Sequence, residues 1–103
     1  MARLVVGEAL KKARKGLIRV RLIVDEESRV IKDVRLTGDF FMYPEDALWS
    51  LESSLRGVPL DLNIVSRIVR EQLKSVVLVG STTQDFLEAI AEAERRIEGG
   101  RRE

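Results

Sequence analysis

The chain has 103 residues, with 18 Lys+Arg against 17 Asp+Glu for a formal net charge of +1, and contains neither cysteine nor histidine. Those absences exclude a disulfide, a thiolate zinc or iron–sulfur site, a cysteine nucleophile and a Ser-His pair, while the balanced charge lacks the basic footprint of a nucleic-acid binder. With 45% hydrophobic and 34% charged residues, the chain reads as one folded, soluble domain over residues 1–98, with a flexible tail at 99–103.

No apolar run is long enough to cross a bilayer. Gly7 and Glu8 interrupt the N-terminal apolar residues before a signal-like segment builds up, so a cytoplasmic location is expected. The excess of arginine over lysine and the single asparagine, Asn63, add a thermophile signature.

Leu4-Val5-Val6 suggests a short first strand. A basic cluster follows: Arg3, Lys11, Lys12, Arg14, Lys15, Arg19 and Arg21 stand against Glu8 alone. Over residues 17–25, Ile18, Val20, Leu22 and Val24 alternate with Arg19, Arg21 and Ile23, the period of a strand with one buried face. After a polar turn, Val30, Val34 and Leu36 alternate with Asp33, Arg35 and Thr37, predicting an antiparallel partner strand. Lys32 falls on its apolar face, where only a snorkelling amine fits.

The strand runs directly into Thr37-Gly38-Asp39-Phe40-Phe41-Met42-Tyr43-Pro44-Glu45, which holds three of the chain's five aromatic residues. Gly38 and Asp39 suit either a tight corner or a binding loop. Phe40, Phe41 and Tyr43 cannot all face one small core, so at least one is expected to be exposed or against a partner.

Pro44 suits the first position of a helix whose stripe is Leu48, Leu51 and Leu55 and whose end is Gly57. Trp49 lies off that stripe, to cover the core rim or to dock elsewhere. Asp61 caps a second helix buried through Ile64, Val65, Ile68, Val69 and Leu73. Residues 76–79 read as a short strand or a buried connection. Thr82 and Asp85 have capping-box spacing ahead of Phe86, Leu87, Ile90, Ala93 and Ile97. A hairpin followed by helices predicts an α+β layer, with an antiparallel sheet of about three strands and helices packed on one face. No carboxylate pair, metal-ligand cluster or nucleophile motif stands out, so no catalytic or metal-binding residues are assigned and the chain alone is not expected to be an enzyme. A small RNA- or nucleotide-binding module using the basic N-terminal segment is the alternative, although no glycine-rich phosphate cradle accompanies it.

The combination of Leu17-Ile18-Arg19-Val20, Ile31-Lys32-Asp33-Val34, Thr37-Gly38-Asp39-Phe40-Phe41 and the Pro44-Glu45-Asp46 helix start resembles the C-terminal domain of lipoate–protein ligases, which in some archaea and bacteria is a separate accessory subunit. Leu55-Arg56-Gly57-Val58-Pro59 and Val79-Gly80 with Asp85-Phe86 extend the likeness. It implies a fold related to the iron–sulfur scaffold and sulfur-acceptor proteins, whose cysteine chemistry this chain lacks. It also implies a non-catalytic subunit required by a large catalytic subunit for lipoyl-adenylate formation, before transfer of the lipoyl group to a lysine on a carrier domain. ATP and lipoate would be bound in the complex, with no cofactor held by this chain alone. Gly38, Asp39, Phe40, Phe41 and Tyr43 would form the partner- or active-site-facing corner, joined by Lys11 and Lys15. In place of the family's Pro-Gly-Gly-Lys turn this chain reads Ala13-Arg14-Lys15-Gly16, which sets Lys15 one position early. Exposed aromatics also allow for self-association of the isolated chain.

Overall fold

The structure, a computed structural model, describes residues 3–101, with side chains described for residues 3–97. Strands β1 (Leu4–Ala13), β2 (Gly16–Asp25) and β3 (Val30–Gly38) form an antiparallel sheet in the order β1-β2-β3. Short strands β4 (Phe41–Tyr43) and β5 (Val77–Val79) pair antiparallel in a second sheet. Between and after them lie α1 (Ala47–Leu55), α2 (Leu62–Leu73) and α3 (Thr83–Arg101). The architecture is the expected α+β layer, with residues 76–79 resolved in favour of a strand.

The first strand is far longer than its three apolar residues suggest. All ten residues of β1 pair with β2, from Leu4 opposite Asp25 to Ala13 opposite Gly16. Its inward positions include Gly7 and Ala9, small residues that carry little strand signal, while Leu4, Val6 and Leu10 point outward and are about half exposed. The inversion follows from α3 lying close against β1 and β2. A Cβ at Gly7 would stand 2.3 Å from the Ala93 carbonyl oxygen and 2.6 Å from Ile97 Cγ1, so a larger side chain there would push the helix off the sheet.

In β3 the alternation slips. The β2–β3 register shifts at Ile23/Val24, with Asp33 opposite Ile23 and Ile31 opposite Val24, so Lys32 is the extra residue of a bulge. Ile31 rather than Val30 is fully buried, and Lys32 is exposed instead of lying on the apolar face.

The core joins Ile18, Val20, Leu22 and Val24 of β2 and Val34 and Leu36 of β3 to Leu51, Leu55, Val65, Val69, Phe86 and Ile90 from the three helices. The caps form as the sequence predicts. Asp61 accepts the Asn63 N–H at 2.8 Å, while the Thr82 N–H donates to Asp85 and the Asp85 N–H to Thr82 Oγ1 at 2.9 and 3.1 Å. Pro44 is a correction: it lies in the turn before α1, after a cis peptide bond, and Asp46 is the N-cap residue. The expected tail is taken up in part by α3, which continues through Gly99 and Gly100 to Arg101; Arg102 and Glu103 lie outside the described residues. Among the described residues no helix is long and apolar enough to cross a membrane.

Candidate functional site

Three connections meet at Asp39: the β1–β2 turn, the β3–β4 corner and the loop leading into α3. The Asp39 N–H donates to the Leu17 carbonyl at 3.0 Å, and its carboxylate accepts from the Leu17 N–H at 3.3 Å. Asp39 thus clamps the start of β2 with both its backbone and its side chain. Gly38 makes the clamp possible. Its φ of +145° and a hypothetical Cβ only 2.1 Å from the Leu17 carbonyl oxygen leave no room for a side chain. On the other side the Lys15 N–H approaches the Gly80 carbonyl at 3.4 Å, and the Lys15 side chain lies over Gly80.

The aromatic residues divide as β-strand alternation requires. Phe40 packs edge-on against Phe86 of α3, with ring centroids 4.9 Å apart at 87°. Met42 is buried, whereas Phe41 and Tyr43, two apart on β4, are 66% and 52% exposed. Opposite them in the register are Val79 and Val77 of β5, and Val77 is 59% exposed. Phe41, Tyr43 and Val77 therefore share an apolar outer face on the small sheet, next to the Asp39 clamp. Trp49 on α1 is also 66% exposed, so of its two sequence readings the structure leaves the indole uncovered.

Of the two candidate lysines, the structure brings only Lys15 to the Asp39 corner. Lys11 points to α3, where its ammonium pairs with Glu88 at 2.6 Å. The hydrogen bond from Lys11, with a second from Gln84, holds the Glu88 carboxyl below its ordinary range, and the same Glu88 contact raises Lys11. The remaining basic residues of the cluster are spread over separate surfaces: Lys12, Arg19 and Arg21 on the outer sheet face, Arg14 at the hairpin turn, and Arg3 before β1, paired with Glu26.

Sequence reasoning missed Glu52. It is 7% exposed on α1, and its carboxylate accepts the Leu36 N–H of β3 at 2.8 Å. The available signal was its spacing, since position 52 lies four residues after Leu48 and thus on the inward stripe.

The family described as the bacterial lipoate protein ligase C-terminus matches residues 8–90. The chain belongs to that family. A curated relative, lipoate-protein ligase A subunit 2 of Thermoplasma acidophilum, is 41% identical over 80 residues, covering 77% of this chain and 81% of the relative. Among solved structures, a chain from the archaeal lipoylation system of Thermoplasma acidophilum superposes with a TM-score of 0.75 at 37% identity. The match covers 85% of this chain and 97% of that one, and that system is described as a bi-partite lipoate protein ligase and its E2 lipoyl domain. The family membership and the α+β fold thus agree with the resemblance carried by the Gly38-Asp39-Phe40-Phe41 corner, and the thermophile signature is matched by a relative from Thermoplasma.

Proposed function

We propose that this chain is the non-catalytic accessory subunit of an ATP-dependent lipoate–protein ligase in the cytoplasm, required by a large catalytic subunit for lipoyl-adenylate formation. The observation that carries this reading is the exposed Phe41–Tyr43–Val77 face beside the Asp39 clamp, in a chain whose Thermoplasma relative is named as a second ligase subunit. Aromatic side chains with one face unpacked are the usual anchors of protein interfaces. The clamp and the β4–β5 pairing hold the backbone that carries them, so little backbone entropy is lost when a partner covers them. In this reading ATP and lipoate sit on the large subunit, and Lys15 is the corner's cation toward the shared site. Lys11, held by Glu88, contributes by fixing β1 to α3. The lipoyl carrier domain meets the assembled complex rather than this chain alone.

The test is binding of the large subunit encoded in the same genome to Phe41→Ala and Tyr43→Ala variants. Both side chains are exposed, so the variants are expected to unfold at the parent temperature. Each should weaken the complex by about 2 kcal/mol, roughly thirtyfold in Kd. Parent-like affinity in both would contradict the reading.

A further inference from the structure

The two edges of the large sheet are treated differently. On the β3 edge several backbone groups are taken. The Ile31 N–H donates to Val58 at 2.8 Å, the Gly57 N–H to Ile31 at 2.8 Å and the Leu60 N–H to Arg29 at 2.8 Å, and Glu52 accepts from Leu36. On the β1 edge, among the described residues, no segment plays that part. The bonding direction of β1 follows from its ends. The Arg3 carbonyl accepts the Glu26 N–H across the β1–β2 pair, and the Leu17 carbonyl accepts Asp39 on the β3 side. Odd-numbered β1 residues therefore bond to β2. The N–H and C=O groups of Leu4, Val6, Glu8, Leu10 and Lys12 face outward from the sheet edge. The same residues project from the outer sheet face, where Leu4, Val6 and Leu10 are 56%, 49% and 55% exposed.

An open ten-residue edge bearing leucine and valine is a template for strand addition, which sheets ordinarily block. We propose that the occupant is a second copy of this chain, its β1 running antiparallel to the first with Leu10 on the two-fold axis. The charge pattern favours this register, in which residues 7–13 of the two strands overlap. With Leu10 opposite Leu10, Glu8 falls opposite the second copy's Lys12 and Lys12 opposite its Glu8, so two ion pairs flank an apolar centre. All of these positions have outward-facing backbone groups, as pairing requires. A register centred on Glu8 would instead place two carboxylates opposite each other, which is unfavourable. Within one chain Glu8 is already the cross-strand neighbour of Arg21, and Arg21 lies opposite Arg35 on β3. The paired carboxylates and lysines would extend this charged row onto the second copy's β1, within a six-stranded sheet. A cavity of about 290 Å³ lined by Glu8, Ala9, Leu10, Arg19 and Arg96 lies at the centre of the edge, and the incoming strand would fill it. The contact uses none of the aromatic residues of the proposed ligase interface, so the two proposals stand or fall separately.

The absence of native cysteine allows a direct test of the register. Three single variants of the full chain, Val6→Cys, Glu8→Cys and Leu10→Cys, are oxidised and run without reductant, and the parent mass is measured by sedimentation equilibrium. The expected result is a dimeric parent in which only Leu10→Cys forms an intermolecular disulfide, because only that residue faces its own copy at disulfide distance. Lys12→Glu should raise the dimer dissociation constant about tenfold, and adding Glu8→Lys to it should restore the parent value. A monomeric parent would overturn the proposal. So would a dimer cross-linked through position 6 or 8, or an unrestored double variant.

Discussion

A glutamate that is only 7% exposed is unfavourable unless something donates to its carboxylate, and for Glu52 the donor is the Leu36 N–H at 2.8 Å. The side chain thereby does the work of a neighbouring strand: it satisfies an edge amide of β3 and ties α1 to the sheet. Glu52→Ala leaves that amide buried and unpaired, so the chain should lose about 1–3 kcal/mol of stability, measured by urea unfolding. Glu52→Gln keeps an acceptor on the same stem and should lose clearly less. Equal losses in the two variants would show that the carboxylate's charge, rather than an acceptor oxygen held on that stem, is what matters. The sequence marked this position only by its spacing from Leu48, and a glutamate on a helix is solvated far more often than it caps a strand. Asp39 was legible because glycine, carboxylate and aromatics stood together at a strand end. What it holds was not, because its partner Leu17 lies 22 residues away.

Among the described residues, ion pairs join the elements in two places. Lys11 of β1 pairs with Glu88 of α3. Asp33 of β3 accepts from Arg56 Nε, beyond the end of α1, at 3.1 Å. Burial alone would raise the Asp33 pKa, but the Arg56 hydrogen bond, the Val34 N–H and the charges of Arg35 and Arg56 outweigh it and lower the carboxyl. Asp33 and Glu88 therefore titrate in the folded chain below their ordinary values of 3.8 and 4.5, and in that window the unfolded chain binds more protons. Their contribution is complete above those values and is lost as pH falls through the folded ones. Lys11, raised above 10.5, contributes fully below that value and loses its share as pH rises through the folded one. The urea midpoint should thus decline on acidification below the carboxylate range, and Asp33→Asn should reduce that decline. An Asp33→Asn variant with an undiminished acid slope would count against the Arg56 tie. At this scale the helices and the β2–β3 hairpin were readable from periodicity and caps. The long β1 was not, because packing against α3 reverses its faces and puts Gly7 and Ala9 inward. The Lys32 bulge was hidden too, since one inserted residue leaves the apolar composition unchanged while shifting its phase.

Taken whole, the molecule offers two exposed surfaces of different character. One is the exposed aromatic face of the small sheet, set beside the Asp39 clamp; the other is the β1 edge of the large sheet, unpaired among the described residues. The chain's membership of the lipoate protein ligase C-terminal family gives the first surface its reading, and backbone geometry gives the second. In the proposed accessory role, the aromatic face is linked to catalysis by dependence of the large subunit on this chain. The decisive measurement is lipoyl-adenylate formation by the large subunit from the same genome, supplied with ATP and lipoate, with and without this chain. Adenylation that requires the chain, and that falls sharply with folded Phe41→Ala or Asp39→Ala variants, is the predicted result. Equal adenylation in its presence and absence would contradict the accessory role.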